Sequence, residues 1–322
     1  MMVNTKQPGP GASVGLSGRD FLKLTDYSSS ELSDLIELGH DLKKKQKSGK
    51  VFEPLQGKTL GMIFEKSSTR TRVSFETGMY QLGGMGIFLS TNDLQLGRGE
   101  PVADTANVLS GYLDGIMIRT YSQAMVQELA ANASIPVING LTDVYHPCQV
   151  LADLQTIEEV KGGLEGVKLA FIGDGNNMAN SLMIGAAIMG MHISIAAPEG
   201  YQPENAISKK AALIAAASGG KVEITANPVH AAEKADVIYT DVWASMGQES
   251  ESKVREQAFA DFQVNSKLLS LAKKDVTFMH CLPAHRGEEV MADVIDGKHS
   301  VVFQQAENRL HAQKALMTAL MG

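Results

Sequence analysis

The sequence predicts an α/β protein of two domains, each a mostly parallel sheet flanked by helices, with the active site in the interdomain cleft. Three observations lead there. The 322 residues exceed the ~100–200 of a single domain. Short apolar strands alternate with amphipathic helices along most of the chain. The chemically distinctive residues fall just after predicted strands, the end at which open parallel sheets collect ligands.

In chain order, the first series places strands at 59–64, 86–89, 115–118 and 136–139, with helical periodicity at 71–82, 101–112 and 125–133. The second places strands at 168–172, 192–196, 222–225, 237–239, 277–279 and 301–303, with helices beginning near Asn177, Asn205, Pro228 and Ser266. The apolar-periodic stretch 147–160 links the halves, and 306–320 reads as a terminal helix. The lysine-rich run 42–50 reads as a solvated helix end whose charge suits the macrodipole. The expected organisation is a flexible tail over 1–18, a first domain over 19–155 joined by the C-terminal helix 306–322, and a second domain over 156–305.

Composition narrows the function. With 29 Lys+Arg against 36 Asp+Glu, the net charge of −7 lacks the basic excess that phosphate contacts of a nucleic-acid binder require. No apolar run approaches the ~20 residues of a membrane span; 183–195 is interrupted by Gly185, Gly190 and His192. Neither a nucleic-acid nor a membrane partner is therefore expected. Only Cys148 and Cys281 are present, which excludes a disulfide framework and fits a reducing compartment. Residues 1–18 carry one Lys, no Arg and no signal-peptide core, so a cytoplasmic location is expected.

The run Ser67-Ser68-Thr69-Arg70-Thr71-Arg72 follows a strand and opens a helix. Hydroxyls, free backbone N–H groups and two guanidinium groups at a positive helix end suit a phosphate dianion, although a hydroxyl-capped helix with exposed arginines is the plainer alternative. Gly-x-x-x-x-Gly-Lys is absent, so a nucleoside triphosphate is not implied. His146-Pro147-Cys148-Gln149, with Asp153 one turn on, places an imidazole and a carboxamide at a helix entrance, where they can grip a carbonyl and its amide hydrogens. Arg119 can add charge to the same oxygen. These groups describe a small phosphate ester or anhydride with a carbonyl end.

In the second half, Asp241 and Ser245 in Asp-Val-Trp-Ala-Ser-Met-Gly offer acceptors to an ammonium, and the turn is suited to swing on Gly247 as a lid. His280-Cys281-Leu282-Pro283 exposes a thiol and the Leu282 carbonyl, although a buried inert cysteine is the commoner fate. A zinc site from His280, Cys281 and His285 is disfavoured, because no further spaced Cys/His pair completes a tetrahedron. Gly173-Asp174-Gly175-Asn176-Asn177-Met178 is similar to a dinucleotide turn but has Met178 where the third glycine belongs; Asn176 and Asn177 suit a carboxylate or amide better than a pyrophosphate.

Taken in order, Ser-Thr-Arg-Thr-Arg, His-Pro-Cys-Gln, Gly-Asp-Gly-Asn-Asn-Met, Asp-x-x-x-Ser-Met-Gly and His-Cys-Leu-Pro closely resemble the aspartate/ornithine carbamoyltransferase family over roughly residues 20–322, the last two motifs pointing to its ornithine branch. The resemblance implies a carbamoyl phosphate domain and an ornithine domain, with citrulline and phosphate as products, in arginine metabolism. It implies Ser68, Thr69, Arg70, Thr71 and Arg119 on the phosphate; Arg119, Thr71 and His146 on the carbamoyl oxygen; and Gln149 with the Cys281 and Leu282 carbonyls on its NH2, Arg309 nearby. Asn177, Asp241, Ser245 and Met246 are implied for the amino-acid end of ornithine, with Asp241 and Cys281 near the reacting amine. Arg119, His146, Asp241 and Cys281 are thus the expected catalytic set. It further implies a homotrimer in which a neighbour's loop, here the stretch with Gln95, completes the phosphate site. Some relatives carry Lys at the position of Gly99. No cofactor and no metal are expected. The alternatives are another amine acceptor such as putrescine or an acylated ornithine, an NAD-dependent oxidoreductase using 173–178, and a catalytically silent binding module.

Overall fold

Thr59–Phe64 is a largely apolar run flanked by turns, and it forms β1, one of the two inner strands of a four-stranded parallel sheet. A computed structural model describes residues 15–244 and 249–322, and the chain divides into two units: residues 15–143 with 308–322, and residues 144–307.

The first unit begins with α1 (Ser29–Lys47), whose start is fixed by a capping box between Ser28 and Glu31 and whose last turn carries Lys44, Lys45 and Lys47. After β1 come α2 (Thr69–Gln81), β2 (Met85–Ser90), α3 (Val102–Ser110), β3 (Gly115–Arg119), α4 (Gln123–Asn132) and β4 (Val137–Leu141). Strand order is β2-β1-β3-β4, every pair parallel. The inner strands are buried, β1 from Leu60 on and β3 throughout, as sheets covered by crossover helices require. Ile63, Ile116 and Ile118 pack with Val126 and Leu129 of α4. The free edge of β4 is covered by Phe21, which donates to the Val137 carbonyl and accepts from Asn139 N–H.

The described part of the expected tail, residues 15–18, is anchored: Leu16 is buried, Gly18 N–H donates to the Leu320 carbonyl, and Ser17 Oγ donates to the carbonyl of Gly322. Residues 1–14 of that expectation lie outside the described residues.

The second unit holds α5 (Pro147–Lys161), β5 (Lys168–Ile172), α6 (Asn177–Ile188), β6 (His192–Ala196), α7 (Asn205–Ser218), β7 (Lys221–Thr225), α8 (Pro228–Ala232) and β8 (Val237–Thr240). It continues with α9 (Ser252–Phe259), α10 (Ser266–Leu269), β9 (Thr277–His280) and α11 (Ala292–Ile295). Its parallel sheet has the order β7-β6-β5-β8-β9. The boundary near residue 307 falls inside the final helix, α12 (Val302–Met321). Residues 144–155 group by contact with this second unit.

One expected strand is absent. The apolar run 301–303 makes a single bridge beside β9, through Phe278 N–H to the His299 carbonyl and Val301 N–H to the Phe278 carbonyl. The Gln305 N–H to Val301 carbonyl bond at 2.8 Å then turns the chain into α12. Three apolar residues carry no periodicity long enough to separate a strand from a helix start.

Candidate active site

In the first unit, β1 delivers the chain to the N-terminus of α2. Ser68 caps that helix: its backbone is extended, and its Oγ accepts from Thr71 N–H at 3.2 Å. Ser68 Oγ also donates to Thr71 Oγ1 at 3.1 Å, and Arg309 Nη2 donates to the same oxygen at 2.9 Å. Thr71 and Arg309 are buried, Arg70 is half-buried and Thr69 exposed. Arg119 ends the neighbouring strand β3, its side chain buried and its carbonyl accepting from Glu65 N–H. The parallel β1·β3 register, Phe64 opposite Arg119, sets that strand end beside the helix entrance.

The convergence of two guanidinium groups expected from Arg70 and Arg72 does not occur. Arg72 donates to Glu76 one turn along α2 and stacks 3.8 Å over the Phe88 ring. The i,i+4 spacing of an Arg and a Glu on one helix face was the available signal. Lys66, two residues before the Ser68 cap, is buried, ion-paired to Asp143 and 4.1 Å from the Tyr121 ring centroid. Gln95 opens a short 3-10 turn and is exposed; Gly99 ends that turn at φ +94°, a left-handed conformation that glycine adopts without steric cost and lysine does not.

In the second unit, His146 N-caps α5, with Pro147 at the first helical position, and its N–H donates to Ser181 Oγ of α6 at 2.8 Å. Gln149 is buried one turn in, and its Nε2 donates to Asp153 Oδ1 at 2.9 Å. With the amide nitrogen on a carboxylate, Oε1 is the acceptor end of Gln149. Asp153 also accepts from Gln305 Nε2 at 2.7 Å and Tyr239 OH at 3.1 Å; Gln305 Oε1 in turn accepts from His280 N–H at 3.0 Å. Burial, reinforced by Asp153, holds the Tyr239 hydroxyl well above its ordinary pKa, so it remains a donor. Gln305 and Tyr239 have no local sequence signal, because only the fold brings α5, β8 and α12 to one carboxylate.

Strand pairing explains the next contact. Thr240 of β8 is opposite His280 of β9, so the residues that follow, Asp241 and Cys281, emerge side by side at the carboxyl ends. Cys281 Sγ donates to Asp241 Oδ1 at 2.9 Å, Val242 N–H donates to the same oxygen at 2.8 Å, and Asn176 Nδ2 donates to Oδ2 at 3.1 Å. Asn176, the N-cap of α6, thus supports Asp241, while Asn177, the one of the two asparagines that the resemblance assigns to ornithine, is the first residue of that helix and partly exposed. Ser245 and Met246, with the expected lid turn at Gly247, lie outside the described residues. The loop before them is held by Arg255, which donates to Asp174 at 2.8 Å and to the Trp243 carbonyl at 2.9 Å. Burial raises the Asp174 pKa despite that pairing.

Leu282 has φ +59°, a left-handed conformation uncommon outside glycine. Its N–H donates to His280 Nδ1 at 2.8 Å, so that nitrogen is the acceptor and Nε2 carries the proton. Nε2 faces Glu289 Oε1 at 3.2 Å, and both side chains are fully buried. Glu289 was missed in the sequence; it fixes the imidazole that fixes the Leu282 turn.

Two groups among the described residues could gather round a metal ion: Asp241, His280 and Cys281, and His285, Glu288 and Glu289. In the first, His280 and Cys281 are already committed to the hydrogen bonds above. His285 falls in the other group, so the His280–Cys281–His285 set considered from sequence does not assemble. The glycine turn after β5 is closed by protein: a Cβ on Gly175 would lie 2.2 Å from Pro203 N, and Gly175 N–H donates to the Tyr201 carbonyl at 2.8 Å. Glycine there admits the chain's own backbone, which is a reason for the turn that needs no dinucleotide.

Comparison with known proteins agrees with these two half-sites. Residues 19–159 match the family model described as aspartate/ornithine carbamoyltransferase, carbamoyl-P binding domain, and residues 165–320 match its Asp/Orn binding domain. The ornithine carbamoyltransferase of Oceanobacillus iheyensis is 69% identical over 306 residues, 95% of each chain. That of Bacillus subtilis is 60% identical over 308 residues, covering 96% of this chain and 95% of its own. Among solved structures, ornithine carbamoyltransferase from Pyrococcus furiosus superimposes with a TM-score of 0.93 at 56% identity, covering 95% of this chain and 98% of its own. A helix-capped cradle in one unit, a thiol–carboxylate pair in the other and a match along nearly the whole length have one consequence: the chain belongs to the aspartate/ornithine carbamoyltransferase family.

Proposed function

We propose that the chain transfers the carbamoyl group of carbamoyl phosphate to the side-chain amine of L-ornithine, giving L-citrulline and phosphate in arginine biosynthesis or breakdown. The observation that carries this reading is the 2.9 Å contact between Cys281 and Asp241 beside the Leu282 turn. A thiol and a carboxylate together suit an approaching amine, in a chain that also carries an oxyanion cradle at a capped helix N-terminus.

In this proposal Ser68, Thr69, Arg70 and Thr71 hold the phosphate with Arg119, and Gln95 completes that site from a neighbouring copy. Thr71, Arg119 and His146 address the carbamoyl oxygen, with Arg309 bracing Thr71. The acceptor end of Gln149 and the carbonyls of Cys281 and Leu282 take the carbamoyl NH2. Asn177, Asp241, Ser245 and Met246 bind ornithine.

Charge sets the order of events. An aliphatic amine has a pKa near ~10.4 and is mostly the unreactive ammonium at neutral pH. Desolvation favours the neutral amine, the ammonium proton passing to solvent as ornithine enters, and Cys281 and Asp241 position the amine with its lone pair toward the carbamoyl carbon. Attack forms the new C–N bond and a tetrahedral oxyanion, each of whose donors contributes on the order of 3 kcal/mol. The C–O bond to phosphate then breaks, and the departing phosphate accepts the amine's surplus proton.

A homotrimer is part of the proposal. Its support is the edge strand β2, which exposes Met85 and Phe88, and the adjoining helix α2, which exposes Val73. No helix among the described residues is long and apolar enough to cross a membrane, and a cytoplasmic location is proposed from the composition. Phosphate release measured with carbamoyl phosphate and ornithine, putrescine or N-acetylornithine tests the acceptor: ornithine is expected to exceed the others by orders of magnitude, and comparable rates would contradict the assignment.

A further inference from the structure

A cavity of about 520 Å³ opens in the first unit between the C-terminal end of α1, the loop that follows it, the C-terminal end of α2 and α12. Three lysines, Lys45, Lys50 and Lys314, line it against one acidic residue, Glu53. It is separate from the phosphate cradle: Thr71 and Gln81 occupy opposite ends of α2, roughly 15 Å apart at 1.5 Å per residue.

Lys314 is unusual there. It is only 4% exposed, yet its Nζ donates to the neutral side-chain carbonyl of Gln81 at 2.9 Å, and no carboxylate among the described residues pairs with it. Lys45, by contrast, is ion-paired to Asp41 and lies 4.2 Å over the Phe52 ring. An ammonium taken out of water without a counter-ion is costly, and a charge-assisted bond to an anion offsets that cost. Burial accordingly lowers the Lys314 pKa to about 8. Val51, Phe52 and the exposed Tyr80 ring add apolar and flat wall beside the carboxamides of Gln46 and Gln56.

We propose that this cavity is a second ligand site, binding a small carboxylate with a flat or apolar body, its carboxylate on the Lys314 ammonium and its body against Phe52 and Tyr80. The assignment is independent of the carbamoyl-transfer reaction. Lys314 supplies the selective contact, since of the three lysines lining the cavity it is the buried one and no carboxylate among the described residues pairs with it; Lys50, exposed at the rim, adds a weaker and salt-sensitive attraction.

Calorimetric titration of the full chain with phthalate, a flat dianion, tests this. The wild-type protein should bind, Lys314→Met should weaken binding at least tenfold, Lys50→Gln two- to threefold, and Arg70→Gly not at all. Absence of binding to the wild type, an unchanged affinity in Lys314→Met, or loss in Arg70→Gly would overturn the proposal, the last by placing the probe in the phosphate cradle. Should Lys314→Met not fold, nuclear magnetic resonance of the 15N-labelled Lys314 ammonium in the wild type decides: its titration midpoint should move upward on adding phthalate, and an unmoved midpoint would refute the site.

Discussion

Cys281 Sγ lies 2.9 Å from Asp241 Oδ1 because the two residues follow register partners on adjacent parallel strands. The contact is therefore set by the sheet, with backbone support from Val242 N–H, rather than by a mobile loop. Cys281→Ser keeps a donor toward Asp241 but shortens its reach and removes the thiol. Turnover with ornithine should fall at least tenfold, about 1.4 kcal/mol of barrier, while carbamoyl phosphate affinity stays unchanged. Steady-state kinetics with a separate calorimetric measurement of the donor would show both.

Arg70→Gly addresses the other half-site. Arg70 has no part in the α2 cap, which Ser68 and Thr71 form. Carbamoyl phosphate affinity should drop by about tenfold or more, as loss of a charged hydrogen bond worth ~1.5–3 kcal/mol implies, with an unaltered circular dichroism spectrum. Retained affinity would remove the guanidinium from the cradle.

Glu289 acts on the reaction only through His280 and Leu282, which makes it a positioning residue. Glu289→Gln conserves shape but leaves the imidazole Nε2–H facing a neutral amide. The expected result is a loss of roughly tenfold in kcat with a smaller loss of carbamoyl phosphate affinity, because the Leu282 carbonyl faces the carbamoyl NH2, and an unchanged urea midpoint; a lowered midpoint would mean general destabilisation.

Gly175→Ala should cost about 1–3 kcal/mol, the range for overpacking, because its Cβ would meet the Pro203 nitrogen at 2.2 Å. Urea unfolding would report a lower midpoint with an unchanged slope.

Lys314 links stability to pH. Its folded-state pKa is lowered to about 8 from an ordinary 10.5, so below pH 8 the folded chain bears the full cost of the buried cation. Between pH 8 and 10.5 the unfolded state binds more protons, and stability rises through that window. Lys314→Met should therefore raise Tm at pH 7 by roughly 2–4 °C, the response of a domain of this size to about 1 kcal/mol, and the gain should shrink by pH 10. An equal gain at both values would show that its charge is not responsible.

Much of this architecture was legible from periodicity, since seven of the nine strands are five or six residues long and the other two four, most of them apolar runs bounded by turn residues. Asp241, Cys281 and His146 were legible for a related reason: they sit at strand ends or a proline-started helix, where ligands gather. What could not be read was anything set by chain crossing. Gln149 is oriented by Asp153, which is itself held by Gln305 and Tyr239 at 152 and 86 residues' distance along the chain. Arg72 was misjudged by its motif, although Glu76 one turn away announced where its charge would go. The run 301–303 failed because three apolar residues fit a strand and a helix start equally well.

The most direct measurement mixes 13C-carbamoyl phosphate with 15N-δ-ornithine and follows the carbonyl carbon by nuclear magnetic resonance. The account predicts a ureido resonance split by one-bond coupling to 15N, growing in step with free phosphate. A carbon signal that appears only as bicarbonate, or a carbamoylated product without that coupling, would contradict it.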